Sequence, residues 1–319
     1  MRYSPRIRKY LLAFLIIGWG LVFIYQLKKP ATLYHDNRVL MGTFWEVVSA
    51  DKKAGAIVFA EASRIEQLLS RYIESSEISR LNRLGSLKVS PDTFYVIKRS
   101  KEFWEQTSGA FDITVGPLVS LWGFKNCQYS VPAQRKISSV LKLIGSDKII
   151  LREKDRMVEF KLPGMKIDLG GIAKGYALDQ AVKKLKENNI NSCLINAGGQ
   201  IYALGERSGR PWKVGVKNGR GSDIHGRLEI KDQSISTSGD YEQFFSRDGK
   251  RYSHILDPRT GYPASSGLVS VTVVAPSGTE ADALSTSAFI LGKEGAPGLA
   301  KQFPKARFYL QENQAGKKS

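Results

Sequence analysis

The period of hydrophobic and polar positions changes several times along the chain. Residues 34–50 alternate and predict a strand that is interrupted at Gly42, in YHDNRVLMGTFWEVVSA. Apolar residues three and four positions apart then predict an amphipathic helix in AGAIVFAEASRIEQLLSRYIE. Two more helices are expected in SSEISRLNRLG and SPDTFYVIKRSKEFWEQTSG, and the second begins with Ser90 as cap and Pro91 at its first position.

The rest of the chain mixes strand and helix patterns without a regular rhythm. A partly buried turn and strand are predicted in GAFDITVGPLVSLWGF, and hairpin-like strands in KIILREKDRMVEFKLPGMKIDLG. A helix from near Ile172 follows, and after it come two strands around the glycine pair of SCLINAGGQIYALG. Alternation dominates after Trp212, before a last helix in GTEADALSTSAFIL. Because no βαβ repeat is present, we expect an α+β fold and one catalytic unit over residues 31–319, with a division into two lobes left open.

The first thirty residues differ from the rest. Four Lys or Arg within residues 2–9 precede an apolar run from Leu11 to Tyr25, which is 15 residues long and can be extended by one residue at each end. A cleaved signal peptide is the alternative, but YQLKKPATLYH contains no small-x-small cleavage site. We therefore expect residues 1–30 to be an uncleaved single-pass membrane anchor. The basic N-terminal flank places the body on the extracytoplasmic side, although Lys28 and Lys29 weaken that orientation.

The net charge of the chain indicates which kinds of binding partner are favoured. The 319 residues include 48 Lys or Arg and 30 Asp or Glu, a net charge of +18. Without the six basic residues of 1–30, the body keeps 42 basic residues against 30 acids, or +12. This excess suits lipid headgroups, nucleic acid or a phosphorylated small molecule. The basic residues are dispersed and form no RNA-binding or zinc-finger pattern, which favours a solvated basic surface over a nucleic-acid site.

A strand-to-helix corner is the first candidate for chemistry. In KIDLGGIAKGYALD, Lys166–Leu169 is interpreted as a strand, Gly170-Gly171 as a turn and Ile172 as the approximate start of a helix. Helix N-termini present free N–H groups to anions, and Lys174 adds a full positive charge. The corner is neither a P-loop nor a dinucleotide fingerprint, so an ordinary turn remains the alternative to a phosphate site.

Two further groups are candidates. Asp282 and Thr286 lie four residues apart, hence on one helical face, where a carboxylate and a hydroxyl can both reach a hard cation such as Mg²⁺. The alternative is that the acid meets the helix dipole and the threonine bonds to its own helix. His254, one of three histidines, lies beside the turns of SHILDPRTGYPAS and is either catalytic or structural. Thr237-Ser238-Gly239 is expected to be a polar turn that contacts phosphate or caps the next segment.

Taken together and in order, these segments resemble the FAD:protein FMN transferase family, the ApbE-type flavin transferases. The resemblance covers nearly all of residues 38–295 and comprises eight blocks: MGTFWE, SRYIESSEISRLN, GAFDITVGPLVSLWGF, KIDLGGIAKGYALD, NAGGQIYALG, ISTSGDYEQFF, YSHILDPRTGYP and SVTVVAPSGTEADALSTSAFILG. It implies a Mg²⁺-dependent enzyme that cleaves FAD, transfers FMN through its phosphate to a threonine hydroxyl of an acceptor protein, and releases AMP.

The resemblance also implies roles for single residues. Mg²⁺ would be held by Asp282, Thr286 and the backbone carbonyl of Gly171, and His254 would be the general base or orient the acceptor. The expected FAD contacts are Met41, Tyr72, Ala110, Phe111, Asp112, Asp168, Lys174 and Leu256. Ser285 occupies a position that can be Asp in the family; it would touch FAD or the surroundings of the metal, without a second carboxylate ligand.

Acceptor proteins implied by the resemblance are exported subunits of membrane redox complexes, with the threonine in an Asp-x-x-Thr-Ser/Ala sequence. Three alternatives remain open at the level of sequence. One is an FAD pyrophosphatase that uses water and makes FMN and AMP. Another is a membrane-tethered flavin-binding protein without catalysis, and the third is a basic module that binds nucleic acid or an envelope polymer. The sequence also leaves open whether Cys127 and Cys193 form a disulfide.

Overall fold

The computed structural model of the protein describes residues 32–217, 219 and 224–312. Its strands are β1 (Tyr34–Leu40), β2 (Thr43–Ser49), β3 (Ser86–Lys88), β4 (Ile149–Arg152), β5 (Met157–Phe160), β6 (Cys193–Ala197), β7 (Gln200–Leu204), β8 (Trp212–Lys217), β9 (Ile224–Ile230), β10 (Gln233–Gly239), β11 (Phe244–Arg247), β12 (Lys250–Ser253), β13 (Leu268–Ala275) and β14 (Arg307–Glu312). Its helices are α1 (Ala54–Leu69), α2 (Glu77–Leu84), α3 (Pro91–Gln106), α4 (Gly116–Leu121), α5 (Gln134–Leu141), α6 (Ala173–Glu187) and α7 (Gly278–Gln302).

Seven strands form a central antiparallel sheet in the order β1-β2-β6-β7-β10-β13-β14. A small sheet, β3-β5-β4, and the hairpins β8-β9 and β11-β12 complete the strands. Helix α7 packs against β10 and β13, and α6 packs against both α1 and α7. The buried side chains between these layers form the main core, which includes Trp45, Leu284 and Phe289. The prediction of an α+β fold is confirmed.

The expected membrane anchor, residues 1–30, lies outside the described residues and stays a prediction, as does its boundary with residues 31–319. None of the helices within residues 32–217 and 224–312 combines the length and the apolar character that a membrane span requires. Cys127 is exposed and Cys193 is buried, and both are free thiols.

The first predicted strand is two strands of a hairpin. Leu40 pairs with Thr43, so Met41 and Gly42 alone form the turn, with φ of 50° and 69°. Two consecutive residues with positive φ are typical of the tight turns whose twist matches that of antiparallel strands. The interruption expected at Gly42 is therefore the point at which the chain reverses.

The predicted helix starts are confirmed where a side chain caps them. Ser76 accepts a hydrogen bond from the Ser79 N–H at the start of α2, and Ser90 accepts one from the Thr93 N–H at the start of α3. Each cap satisfies a backbone donor that has no partner within its own helix. Pro91 stands at the first helical position, as expected.

Two predicted strands are wrong. The strand expected after Asp112 is a short 3-10 turn, Ile113–Val115, followed by α4, because the Asp112 carboxylate accepts the Thr114 N–H and ends the extended backbone. The strand expected at Lys166–Leu169 is irregular. There the side-chain amide of Asn82 bonds both the N–H and the C=O of Ile167, which replaces a strand partner.

The crossing of α6 and α7 depends on two glycines. A Cβ added to Gly175 would lie 2.2 Å from the carbonyl oxygen of Gly278, and a Cβ added to Gly278 would lie 2.4 Å from that of Gly175. Asp179 of α6 accepts hydrogen bonds from the Gly278 and Thr279 N–H groups and so caps α7 from another helix. This contact holds the first turn of α6 against the first turns of α7.

Candidate active site

A cavity of about 720 Å³ lies where the start of α6, the middle of α7 and the ends of several strands meet. Twelve of the thirteen candidate residues line it: Met41, Tyr72, Ala110, Phe111, Asp112, Asp168, Gly171, Lys174, His254, Leu256, Asp282 and Thr286. They come from segments separated by up to 245 positions, so only the tertiary structure brings them together.

Asp282 is a buried carboxylate that lines this cavity. It is 5% exposed, and its Oδ2 accepts a hydrogen bond of 3.1 Å from the Gly175 N–H. Burial raises the pKa of Asp282, whereas the positive charge of Lys174 and hydrogen bonds from Gly175 and Ser236 lower it. The carboxylate is thus in a site that favours a nearby positive charge.

Thr286 lies one helical turn beyond Asp282 and also lines the cavity. Its Oγ1 is 3.3 Å from the Ser238 hydroxyl of β10. The same Ser238 hydroxyl lies 3.0 Å from that of Ser285. Residues 237–239, expected as a turn, are instead the end of β10, and Ser238 faces α7.

Ser285 is the one candidate that does not line the cavity. It is fully buried, and its hydroxyl donates to the backbone carbonyl of Asp282 at 3.0 Å and lies 3.2 Å from the Ser236 hydroxyl. Ser285 therefore lies one layer behind the cavity wall, where it links α7 to β10.

The start of α6 faces Thr286. A Cβ at Gly171 would lie 3.3 Å from the Thr286 Oγ1 and 3.3 Å from the ring of Phe111. A side chain there would crowd the space between the two elements, so a glycine lets the backbone approach α7. Lys174 stands in the first turn of α6 and lines the same cavity, which adds its charge to the positive end of the helix dipole.

Asp168 precedes this turn and is held on two sides. Its Oδ1 accepts the Gly170 N–H at 2.9 Å, and its Oδ2 lies 2.6 Å from an Arg71 nitrogen in an ion pair whose side chains are mostly buried. Arg71 also donates to the Tyr72 hydroxyl at 2.7 Å and stacks on that ring at 4.8 Å. Arg71 therefore fixes both Asp168 and the exposed ring of Tyr72 at the rim of the cavity.

Asp112 lines the cavity, but its carboxylate is occupied. Oδ1 accepts hydrogen bonds from the Thr114 N–H, the Thr114 hydroxyl and the Ser146 hydroxyl, and Oδ2 accepts the Ser146 N–H. Burial raises the pKa of Asp112, and these hydrogen bonds lower it. Its carboxylate thus shapes the loop that presents Ala110 and Phe111, which are buried beside the cavity.

His254 is held in one tautomer. Its Nδ1 is 3.0 Å from the Gln243 carbonyl oxygen, which can only accept, so Nδ1 carries the proton and Nε2 keeps its lone pair. The pKa of His254 is lowered from its usual value, mainly by burial and also by the positive charge of Lys174. The hydrogen bond to Gln243 and the negative charge of Asp168 oppose this shift. The imidazole is therefore neutral at pH 7 and suited to accept a proton at Nε2.

The residues named for a metal fit a hard cation. A carboxylate, a hydroxyl and a backbone carbonyl are oxygen donors of the kind that Mg²⁺ prefers. The buried Asp282 carboxylate accepts a backbone hydrogen bond from Gly175, and Gly171 leaves open the space that a Cβ would fill. Within residues 32–217, 219 and 224–312, no cluster of three or more His, Cys, Asp or Glu side chains has a geometry for holding a metal ion.

Sequence reasoning missed several residues of the site. Arg71 stands next to Tyr72 in SRYIESSE, but nothing in that stretch shows that it pairs with Asp168, 97 positions away. The Gln243 carbonyl and the Ser236 hydroxyl were missed because their contacts depend on the fold of β10–β12. The alternation of Ser234, Ser236 and Ser238 is the one signal in the sequence that could have placed them on a single face of a strand.

Comparison with known proteins assigns a family to these features. The ApbE family profile matches residues 41–310. A protein of Klebsiella pneumoniae named FAD:protein FMN transferase is 36% identical over 269 residues, which is 82% of this chain and 84% of that protein. One of Escherichia coli K12 with the same name is 35% identical over 272 residues, 80% of this chain and 78% of the other.

Solved structures agree with these matches. The crystal structure of an ApbE protein from Thermotoga maritima superposes with a TM-score of 0.82 at 35% identity and covers 89% of this chain and 97% of its own. The flavin transferase ApbE of Vibrio cholerae gives a TM-score of 0.79 at 30% identity and covers 88% and 98%.

Proposed function

This chain belongs to the ApbE family, and from that premise we propose that it is an FAD:protein FMN transferase. The proposed reaction is Mg²⁺-dependent. It cleaves the pyrophosphate of FAD, transfers FMN to a threonine hydroxyl of an acceptor protein and releases AMP. The observation that supports it best is that twelve of the thirteen candidate residues, dispersed in the sequence, line one cavity.

The negative charge of the FAD pyrophosphate requires positive groups, and the cavity offers them at the start of α6. Lys174 and the N-terminus of the helix would bind the phosphate oxygens. Asp282, Thr286 and the Gly171 carbonyl would hold Mg²⁺, which would neutralise charge on the pyrophosphate. The buried walls formed by Ala110, Phe111 and Leu256 would exclude water from one side of the flavin.

His254 is proposed to remove the proton from the hydroxyl of the acceptor threonine. The unprotonated Nε2 would take that proton while the threonine oxygen forms its bond to the phosphorus of the FMN phosphate. The bond from that phosphorus to the bridging oxygen breaks, and AMP leaves with the electron pair. The Gln243 carbonyl keeps Nδ1 protonated throughout and so stabilises the imidazolium that forms.

The proposed location follows from residues 1–30. Their apolar run and basic flank favour a single-pass anchor in a bacterial cytoplasmic membrane, with the catalytic body on the extracytoplasmic side. Acceptor proteins on the same side, in membrane redox complexes, would then be held near the enzyme.

The test uses the full-length chain, purified in mild detergent and mixed with FAD, Mg²⁺ and a protein that carries an Asp-x-x-Thr-Ser tag. We expect an FMN-sized increase in the mass of the tag threonine, flavin fluorescence on the denatured protein, and AMP in solution. Asp282→Ala is expected to lower the rate at least about a hundredfold, since it removes the only carboxylate among the proposed metal ligands.

Two control variants sharpen this result. Glu280→Ala removes a half-buried acid from the same helix as Asp282, at a position that does not line the cavity, and it serves as the comparison for a merely structural effect. Replacing the tag threonine with valine is expected to abolish labelling. Release of FMN and AMP without labelling would instead make the protein a pyrophosphatase, and binding of intact FAD would make it a carrier.

A further inference from the structure

A second cavity of about 460 Å³ lies beside the first, and the two share Arg71 and Tyr72. We call it the basic groove. Four of its lining residues are basic, and one is acidic: Arg71, Arg83, Lys125, Lys166 and Glu74. None of the catalytic or metal-binding residues proposed above lines it.

Two of the four basic residues of the groove have no acidic partner within the described residues. Arg71 is neutralised by Asp168. Arg83 lies 3.6 Å from Glu74, but both side chains are more than half exposed, so this pair contributes little. Lys125 and Lys166 are exposed and make no ion pair with any residue in the described part of the chain.

The floor of the groove is rigid and polar. The Asn82 side chain donates to the Ile167 carbonyl at 2.9 Å and accepts the Ile167 N–H at 2.7 Å, which fixes the segment that carries Lys166. A Cβ at Gly116 would lie 2.7 Å from the Lys166 carbonyl oxygen, so the backbone there packs directly on α4. The backbone that carries Lys166 is therefore held in place at the floor of the groove.

We propose that the basic groove binds an acidic segment of the acceptor protein and delivers its hydroxyl residue into the first cavity. This inference rests on the proposed function. A macromolecular acceptor must reach the reacting phosphate from outside, and the groove adjoins the first cavity, with which it shares Arg71 and Tyr72. An extended peptide advances about 3.3 Å per residue, so a carboxylate a few residues from the hydroxyl can sit beside Lys125 and Lys166.

The experiment reverses the charge of the groove without changing the first cavity. The double variant Lys125→Glu/Lys166→Glu of the full-length chain is assayed with the Asp-x-x-Thr-Ser tagged protein at saturating FAD and Mg²⁺. Both side chains are exposed, so the variant is expected to fold. We expect the KM for the tagged protein to rise about tenfold or more, because opposite charges then become like charges. The kcat and the Kd for FAD are expected to stay within about twofold.

Two controls distinguish an effect of the groove from an effect of the total charge of the protein. Lys301→Glu/Lys305→Glu makes the same change in net charge at exposed lysines that line neither cavity, and its KM for the tag is expected to stay unchanged. A tag in which the acid is replaced by lysine is expected to be a poor substrate of the wild type and a better substrate of Lys125→Glu/Lys166→Glu. Added salt is expected to raise the KM of the wild type more than that of this variant.

Three results would overturn the inference. An unchanged KM in Lys125→Glu/Lys166→Glu would mean that the acceptor does not use the groove. A large rise in the Kd for FAD, measured by flavin fluorescence, would assign the groove to the nucleotide half of FAD. Failure of the wild type to label the tag would overturn the proposed function itself, and the acceptor groove with it.

Discussion

His254 and Asp282 occupy one cavity, and burial favours the neutral form of each. It lowers the pKa of His254 below its usual value and raises the pKa of Asp282 above its own. The proposed reaction needs His254 neutral and Asp282 ionised. Both conditions are met above the respective pKa values, and Lys174 supports both because its charge disfavours the imidazolium and favours the carboxylate.

The rate of FMN transfer is therefore expected to fall as the pH is lowered through these two pKa values. The enzyme in which both groups are protonated is expected to be inactive. His254→Asn keeps a side-chain N–H for the Gln243 carbonyl but removes the base. It is expected to lower kcat by about 10² to 10⁴ while the Kd for FAD stays within about threefold. A series of kcat measurements from pH 5 to pH 9 checks both. If His254→Asn kept more than a tenth of the wild-type rate, His254 would be a brace of its loop and not the base.

At the scale of elements, the crossing of α6 and α7 decides the position of the site. Lys174 and Gly171 are on one side of this crossing, and Asp282 and Thr286 are on the other. Gly175 and Gly278 let the backbones meet, and Asp179 caps α7 across the contact. A shift of either helix would separate the proposed cation ligands, so the packing of the two helices and the chemistry depend on the same glycines.

Gly175→Ala is expected to destabilise the protein by about 1–3 kcal/mol or more, because its Cβ would meet the Gly278 carbonyl at 2.2 Å. Gly298→Ala in the same helix pair is the matched control. It has open space at the Cβ position and is expected to be neutral or to stabilise by up to about 1 kcal/mol. Urea unfolding followed by circular dichroism measures both. Equal stability of the two variants would show that the close contact is not needed.

At the scale of the whole molecule, a basic body is combined with a predicted anchor. The body carries a net charge of +12, and the exposed lysines of the basic groove are part of it. With such an anchor, an acceptor at the same membrane surface would be presented at a high effective concentration, which would lower the affinity that the proposed acceptor groove must provide.

Deletion of residues 1–30, with export retained by a cleavable signal, is expected to leave the purified enzyme as active as the full chain on the tagged protein. In cells, labelling of membrane acceptors is expected to fall several-fold, because the local concentration is lost. Flavin fluorescence of membrane proteins after denaturing electrophoresis gives the measurement. Undiminished labelling at matched enzyme levels would count against any role for the tether.

The local elements were predictable where the pattern was long or capped. The periodicity of α1 and the serine caps of α2 and α3 depend on neighbours within a few residues, and these predictions are confirmed, except that α1 ends at Leu69 and the predicted continuation SRYIE is not helical. The α7 prediction, GTEADALSTSAFIL, stops at Leu291, and Gly292 has non-helical angles that mark a kink at the next residue. The strand predicted after Asp112 was wrong because the Asp112 carboxylate accepts the Thr114 N–H and ends the extended backbone. The strand predicted at Lys166–Leu169 was wrong because a distant side chain, that of Asn82, takes up the backbone hydrogen bonds of Ile167.

The sequence alone determined the α+β class, the family resemblance and the set of candidate residues, because each rests on residue types in a given order. Their assembly was decided only by the tertiary structure. Ser285 lies behind the cavity wall, Arg71 pairs with Asp168, and the Gln243 carbonyl selects the tautomer of His254. The physical reason is that hydrogen-bond direction, burial and charge pairing act between atoms brought within about 3 Å, and that proximity is a property of the folded chain.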